Sequence, residues 1–240
     1  SVVFDCDSTL VTVEGIDELA GDRIDEIRRM TELAMDGAMA LEEVYGQRLA
    51  IIDPSRAAVD AVSRAYLAAL VDDARETVAA LRWLGKEIRV VSGGLRPPVE
   101  ALAGELGIAP EHVAAVDIHF DGEGNYLDFE RDSPLARSGG KPDVIAAWKL
   151  PRPSVLVGDG STDLEARPAV DCFVAFMGVA YREAVAAGAD VVLRSPSLAP
   201  VLSLAASARD RQRLRDTPWA GLVTRGDALM AGAGGERRLT

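Results

Sequence analysis

Short apolar segments alternate with helix-like segments along most of this chain, and this alternation limits its fold more than any other feature of the sequence. Predicted strands cover residues 1–4, 87–92, 113–117, 155–157, 172–176 and 191–193. Helical patterns separate them at residues 74–84, 99–106, 142–148 and 180–187. Such alternation is typical of an α/β protein whose mainly parallel sheet is covered by helices on both faces. We therefore predict a doubly wound, Rossmann-like core.

A long helical segment interrupts the alternation after the first strand. Apolar residues recur mostly at spacings of three and four over much of residues 14–70, and an Asp-Pro-Ser run at residues 53–55 ends one helix and caps another. We predict that residues 14–70 form a small helical cap domain, inserted into an α/β core of residues 1–13 and 71–207. Residues 208–240 mix arginine with aspartate before a glycine-rich run, which predicts a charged helix and a flexible C-terminal tail.

The composition indicates a sizeable core and an acidic surface. The 240 residues are 48% hydrophobic and carry a formal net charge of −12. This charge disfavours nucleic acid and anionic membrane as partners, because both are themselves negative. No apolar stretch is long enough to span a bilayer, and two cysteines, Cys6 and Cys172, are too few for a disulfide framework. We expect a cytoplasmic protein, either a monomer or a homodimer.

Polar residues stand where three of the predicted strands end. Asp5 and Asp7 follow the first strand, a Ser-Gly-Gly run at residues 92–94 follows the second, and Gly-Asp-Gly-Ser-Thr-Asp at residues 158–163 follows the fourth. Lys141 stands at a predicted helix start after two glycines. The carboxyl ends of neighbouring parallel strands lie side by side, and ligands bind there. We expect these residues to form one site.

The two aspartates after the first strand suit the hydrolysis of a phosphate ester. Asp5 is the first side chain beyond the strand, and we predict that it attacks phosphorus to give an aspartyl phosphate. Asp7 is close enough to protonate the leaving oxygen and then to deprotonate the attacking water. One carboxylate is therefore the predicted nucleophile and the other the predicted proton-transfer group.

These carboxylates would repel a phosphate unless a cation lay between them. Mg²⁺ prefers oxygen ligands, and the predicted ones are Asp5, Asp159 and the backbone carbonyl of Asp7. The remaining phosphate oxygens would be held by Lys141, the Ser92 hydroxyl and the amides of Gly93 and Gly94. Each feature alone has a simpler explanation, as a helix cap, a loop, a turn or a solvated lysine. Only a shared site explains why all of them fall at strand ends or a helix start.

The same residues resemble the motifs of a known enzyme superfamily. Asp5-Cys6-Asp7-Ser8-Thr9, Ser92-Gly93-Gly94, Lys141 and residues 158–163 are similar to the motifs of the haloacid dehalogenase superfamily of phosphohydrolases. The resemblance covers residues 1–204, nearly everything except the C-terminal segment. It implies a Mg²⁺-dependent enzyme that acts on a small phosphomonoester through an aspartyl phosphate.

Within that superfamily, the helical segment resembles the cap of the phosphoserine phosphatase family. Glu14, Thr31, Arg48 and the run Ala-Met-x-Gly at residues 34–37 stand here as in that family. The resemblance implies that Glu14 binds the ammonium group of phosphoserine and that Met35 contacts the substrate. Arg48 would grip the substrate carboxylate in two bonds, as a planar guanidinium can.

The resemblance extends to the second half of the chain, with one departure in the cap. It implies substrate contacts for Thr162 and Arg182, and it implies that Asp163 orients Lys141 or the metal waters. Leu41 stands where the family usually has a phenylalanine, so the closure of the cap over the substrate is expected to differ.

Three other interpretations compete with phosphoserine hydrolysis. An enzyme of the same superfamily could act on another small phosphomonoester, such as phosphohomoserine, phosphoethanolamine or a sugar phosphate. A receiver-type signalling module also holds an aspartyl phosphate on a doubly wound sheet, but receivers are shorter and lack a helical insertion. A catalytically inactive binding module is the third interpretation, although no reactive position is missing from this sequence.

Overall fold

A mainly parallel sheet forms the centre of the protein in a computed structural model, which describes residues 1–35, 38–39, 41–232 and 235–237. The strands are, in chain order, β1 (Val2–Phe4), β2 (Ile88–Leu95), β3 (Val113–Val116), β4 (Ile118–Phe120), β5 (Tyr126–Phe129), β6 (Val155–Gly158), β7 (Cys172–Phe176), β8 (Val191–Leu193) and β9 (Gly235–Arg237). The central sheet has the order β3-β2-β1-β6-β7-β8-β9, and β4 and β5 pair separately as a hairpin. Neighbours in the central sheet are parallel except for β9, which is antiparallel to β8. The predicted doubly wound α/β fold is confirmed.

Helices cover both faces of the sheet. They are, in chain order, α1 (Gly15–Glu18), α2 (Ile24–Met35), α3 (Leu41–Ile52), α4 (Arg56–Ala68), α5 (Ala74–Trp83), α6 (Arg96–Glu105), α7 (Gly140–Ala147), α8 (Ser161–Glu165), α9 (Glu183–Gly188), α10 (Ala199–Ala205), α11 (Ala208–Leu214) and α12 (Ala220–Ala231). Successive strand residues point to opposite faces, so Val3 and Leu156 lie in one hydrophobic cluster while Phe4 and Val157 lie in the other. Because both faces are covered, the strands β1, β6, β7 and β8 are apolar along their whole length.

The order of the strands reverses beside β1. Phe4, the last residue of β1, is paired with Val90 of β2 on one side and with Val157 of β6 on the other. In open α/β sheets a crevice forms beyond the carboxyl ends of the strands at such a reversal. Asp5 follows directly after Phe4 and therefore stands where a ligand site is expected.

Helices α1 to α4 lie between β1 and α5, in the segment that the sequence predicts as a helical cap. Helix α2 packs against α3, whereas α4 packs along α6 of the α/β core. Val62 and Tyr66 of α4 are buried in the same cluster as Phe4 of β1. The last helix of the insertion is therefore joined to the core. Periodicity did not predict this contact, because it identifies the buried face of a helix and not its neighbour.

The C-terminal segment differs from the predicted charged helix and flexible tail. Its described part contains two helices, α11 and α12, and the strand β9 at the edge of the sheet. Ser207 caps α11 by accepting a hydrogen bond from the N–H of Asp210 over 3.2 Å, and α12 buries Leu222 and Val223. The prediction differed for two reasons. The apolar residues of α12 are few and are flanked by charged residues in the sequence, and the glycines before β9 are typical of a flexible segment. None of the helices in the described ranges is long and apolar enough to cross a membrane.

Candidate active site

A cavity at the carboxyl ends of β1, β2 and β6 brings most of the predicted site residues together. The predicted residues that line it are Asp5, Asp7, Glu14, Arg48, Ser92, Gly93, Gly94, Lys141, Asp159 and Thr162. Asp163 and Arg182 are each bonded to a residue of this lining. The side chain of Met35 lies outside the described residues, as does that of Leu41. Separate parts of the chain, including the insertion, therefore meet at one site.

Lys141 joins two buried aspartates at the start of α7. Its Nζ lies 2.9 Å from Asp5 Oδ2 and 2.7 Å from Asp163 Oδ1. Gly140, the first residue of α7, allows the Pro134 carbonyl to pack directly against the start of this helix, because a Cβ there would lie 1.6 Å from the carbonyl oxygen. Burial acts to lower the pKa of Lys141, but the charges of Asp163 and Asp5 outweigh it and hold that pKa above its ordinary value. Lys141 is thus a fixed positive charge next to Asp5.

Three buried carboxylates converge at the cavity. Oxygen atoms of Asp5, Asp159 and Asp163 lie within 4.8 Å of one another. Burial, followed by the charge of Asp163, raises the pKa of Asp5 well above its usual range, and burial raises the pKa of Asp159 to about 6. A hard divalent cation would relieve this repulsion by accepting several carboxylate oxygens at once. The donor set therefore fits a divalent metal, with the predicted ligands Asp5 and Asp159 among its members.

The Asp7 carboxylate accepts two hydrogen bonds from the helical insertion. The Tyr66 hydroxyl donates to Oδ1, and the backbone N–H of Gly15 donates to Oδ2 over 3.0 Å. Burial raises the pKa of Asp7, and both hydrogen bonds oppose that rise because they stabilise the charged form. Tyr66 was not predicted, because it occupies an ordinary core position of α4 and no pattern in the sequence distinguishes it.

Glu14 and the acid cluster are connected through Arg182. The Ser8 hydroxyl donates to Glu14 Oε1 over 2.6 Å, and Arg182 Nη2 lies 3.8 Å from the same oxygen. Arg182 Nε donates to Asp159 Oδ2 over 3.2 Å. Burial, together with the charges of Asp7 and Asp159, raises the pKa of Glu14 to about 8. Arg182 therefore balances part of the negative charge of the cavity, in addition to its predicted contact with substrate.

Arg48 of α3 is a buried cation that lines the cavity from the insertion. Its Nη1 donates to Thr31 Oγ1 over 2.9 Å, and the Thr31 hydroxyl donates to Asp17 Oδ1 over 2.6 Å. The Arg48 Nε has no hydrogen-bond partner in the part of the chain that the structure describes. A buried donor without a partner costs free energy, so this guanidinium suits an anionic ligand. Asp17 was not predicted, although it stands three residues after Glu14, the residue that precedes α1, and this spacing places two side chains on the same side of a helical turn.

The Ser-Gly-Gly run at residues 92–94 lines the cavity from β2. Ser92 Oγ accepts a hydrogen bond from the Gly94 N–H over 2.9 Å. Strand β2 continues through both glycines, so their amides belong to the end of the strand, and α6 begins only at Arg96. Leu135 and Arg137, which precede Lys141 in the chain, also line the cavity and were not predicted. The loop before α7 therefore contributes more of the site than its lysine.

Comparison with known proteins points to one family. The model for haloacid dehalogenase-like hydrolases matches residues 2–166. The phosphoserine phosphatase of Bos taurus is 39% identical over 190 residues, and that of Homo sapiens is 38% identical over 192 residues. Each alignment covers 77% of this chain and 84% of the relative. Among solved structures, a phosphoserine phosphohydrolase-like protein from Francisella tularensis matches with a TM-score of 0.78 at 27% identity, over 86% of this chain and 99% of that one.

Proposed function

Because the chain belongs to the haloacid dehalogenase-like hydrolases and, within them, to the phosphoserine phosphatase family, we propose that it hydrolyses O-phospho-L-serine to L-serine and phosphate with Mg²⁺ as cofactor. The observation that best supports this proposal is that Glu14 and Arg48 line the same cavity as Asp5 and Asp7. An amino-acid phosphate needs both a reactive group at phosphorus and charged partners for its ammonium and carboxylate groups. Family membership leaves the receiver-type and inactive-module interpretations without support.

Asp5 and Asp7 divide the proposed chemistry between them. A carboxylate oxygen of Asp5 attacks phosphorus, and the bond between phosphorus and the serine oxygen breaks with its electron pair going to that oxygen. Asp7 gives a proton to the same oxygen, so that serine leaves with a neutral hydroxyl. Asp7 then takes a proton from water, which attacks phosphorus and releases phosphate and the Asp5 carboxylate.

Groups around Asp5 are proposed to hold the phosphate. The Lys141 ammonium, 2.9 Å from Asp5, supplies positive charge, and Asp163 keeps the lysine in place. The Ser92 hydroxyl and the amides of residues 93 and 94 supply hydrogen bonds. These donors would be fixed before the phosphate arrives, which limits the reorganisation that the reaction requires.

The acid cluster is the proposed Mg²⁺ site. Asp5, Asp159 and the backbone carbonyl of Asp7 would hold the ion, and Asp163 lies within the same group of carboxylates. When bound, Mg²⁺ neutralises negative charge on the phosphate and on the carboxylates around it. The choice of Mg²⁺ rests on the all-oxygen donor set, which suits hard cations.

The amino-acid part of the substrate is proposed to bind residues of the insertion. Glu14 binds the ammonium group, and Arg48 binds the carboxylate through Nε and a second nitrogen of its guanidinium. The unpartnered Nε supports this assignment, because a carboxylate would satisfy it. Met35, Thr162 and Arg182 are the other proposed substrate contacts.

Three substrates test this assignment directly. Phosphoserine, phosphothreonine and phosphoethanolamine share an alkyl phosphate, but only phosphoethanolamine lacks the carboxylate that Arg48 is proposed to bind. We expect kcat/KM for phosphoserine to exceed that for phosphoethanolamine by about 10²-fold or more, because the smaller substrate leaves a buried guanidinium unpaired. Phosphothreonine should lie between them. A preference for phosphoethanolamine would refute phosphoserine as the substrate and leave the phosphatase chemistry standing.

Removal of divalent cations should destabilise the protein at alkaline pH more than at acid pH. The pKa values of Asp159 and Glu14 are raised to about 6 and about 8. Raised carboxyl pKa values stabilise the fold fully below the ordinary carboxyl range, and this contribution is lost as pH rises through the raised values. In a chelator, Tm should decrease as the pH is raised from about 5 to about 8. Mg²⁺ should raise Tm by several degrees at the higher pH only. Thermal unfolding with and without Mg²⁺ measures both effects, and an equal effect of Mg²⁺ at the two pH values would speak against this cation site.

We also propose a cellular setting for this reaction. The protein would act in the cytoplasm, in the formation of serine, as a monomer or homodimer and without nucleic acid or membrane partners. The net charge of −12 and the presence of only two cysteines support this setting.

A further inference from the structure

Tyr66 makes a direct contact with the proposed proton-transfer group that the chemistry described above does not use. Its side chain is fully buried, and its hydroxyl donates a hydrogen bond to Asp7 Oδ1. A Cβ at Gly15 would lie 2.2 Å from this hydroxyl, so the absence of a side chain at Gly15 allows the contact. The Gly15 N–H binds the other carboxylate oxygen, Oδ2. Both oxygens of Asp7 are therefore held by residues of the insertion.

The position of Tyr66 is fixed by the α/β core. Helix α4, which carries it, packs along α6, and Tyr66 lies in the same hydrophobic cluster as Phe4 and Leu10. The strand that places Asp7 and the helix that places Tyr66 are thus parts of one packed body. The Tyr66 hydroxyl can therefore hold the Asp7 carboxylate in one orientation, and this contact does not depend on the positions of α2 and α3.

We propose that Tyr66 is a positioning residue that holds the Asp7 carboxyl group in the orientation from which it protonates the leaving oxygen. This inference rests on the proposed phosphatase function. The Tyr66 hydroxyl is bound to Oδ1, whereas Oδ2 uses one lone pair to accept the Gly15 N–H and the other to carry the proton that it exchanges. Oδ2 lies 3.5 Å from the place that a Cβ on Gly94 would take, and it therefore faces the Ser-Gly-Gly run where the phosphate is proposed to bind.

One proton moves in this step, from Asp7 Oδ2 to the leaving oxygen. The bond between phosphorus and the leaving oxygen breaks, its electron pair stays on that oxygen, and the proton on Asp7 Oδ2 moves to it. Tyr66 donates a hydrogen bond throughout and keeps its own proton, because a phenol is a far weaker acid than a carboxyl group. The Gly15 N–H then stabilises the charge that remains on Oδ2.

Leaving groups of different basicity test this role. A serine alkoxide needs a proton in order to leave, whereas p-nitrophenolate leaves without one. We expect Tyr66→Phe to lower kcat/KM for phosphoserine by about tenfold or more and that for p-nitrophenyl phosphate by less than about twofold. The parameter kcat/KM is the right one, because it reports the steps up to departure of the leaving group and excludes hydrolysis of the aspartyl phosphate. Tyr126→Phe, in the half-buried Tyr126 of β5, is the matched control and should leave both values unchanged.

The same experiment separates this inference from the proposed function. If the wild-type enzyme does not hydrolyse phosphoserine, phosphoethanolamine replaces it as the substrate with a poor leaving group, and Tyr66 is still tested. Equal losses with both leaving groups, or no loss with either, would overturn the positioning role. In an Asp7→Asn background, Tyr66→Phe should cause no further loss of kcat/KM, since the group that it positions is gone. A further loss as large as in the wild-type background would also overturn it.

Discussion

Asp5→Asn is expected to abolish turnover while the protein remains folded. The amide cannot form an aspartyl phosphate, and removal of a nucleophile commonly costs several orders of magnitude in rate, so kcat should fall by at least about 10³-fold. The loss should be similar for phosphoserine and for p-nitrophenyl phosphate, because both depend on the same attack. Release of phosphate under saturating substrate and Mg²⁺ measures it.

The stability of this variant distinguishes a catalytic loss from a structural one. Burial and the nearby charges of Asp163 and Asp159 raise the pKa of Asp5, which means that its ionised form is unfavourable in the metal-free fold. Lys141 also contacts Asp163, at 2.7 Å, so a negative partner remains for the lysine when Asp5 is replaced by the neutral amide. Tm in a chelator should therefore stay the same or rise.

The exposed Asp60 of α4 provides a matched control for this substitution. Asp60→Asn makes the same chemical change on the surface and should leave both activity and Tm unchanged. An Asp5→Asn enzyme with turnover near that of the wild type would refute the nucleophile assignment.

The residues at the ends of the strands were predictable because the parallel sheet fixes where they meet. Asp5 and Asp159 follow β1 and β6, and Ser92 lies in the last half of β2. These three strands are neighbours in the sheet, so the positions of the residues in the sequence were enough to place them in one cavity. The pattern of apolar residues identifies each strand, and the residues near its carboxyl end can be read directly from the sequence. The central residues of the candidate site could therefore be predicted from the sequence alone.

Contacts from the insertion were not predictable in the same way. Tyr66 reaches Asp7 across 59 residues of sequence, and Asp17 of α1 reaches the Thr31 hydroxyl of α2, both through the way in which the helices of the insertion pack. Helical periodicity identifies which face is buried but does not identify what that face meets. Strand β9 was missed for a related reason, because a glycine and two charged residues form it and only its pairing with β8 makes it a strand.

Arg48→Ala should remove the preference for an amino-acid phosphate while the phosphatase chemistry survives. The guanidinium supplies two charge-assisted donors to the proposed carboxylate, and their loss should lower kcat/KM for phosphoserine by about 10²- to 10³-fold. Phosphoethanolamine has no carboxylate, so its kcat/KM should change by less than about threefold. The ratio of the two values is the diagnostic quantity, because a general loss of activity would leave it unchanged.

Two further variants show whether the effect belongs to the guanidinium itself. Arg48→Lys keeps the positive charge but not the planar pair of donors, so it should recover only a small part of the phosphoserine activity. Arg56→Ala removes an arginine that lies over the Phe120 ring at 4.8 Å, and it should leave the substrate ratio unchanged. Arg48→Ala truncates a buried side chain and removes the positive charge near Asp17, so Tm is measured for each variant, and the substrate ratio separates lost recognition from lost stability. Equal activity of Arg48→Ala and wild type on phosphoserine would mean that the insertion recognises a different substrate.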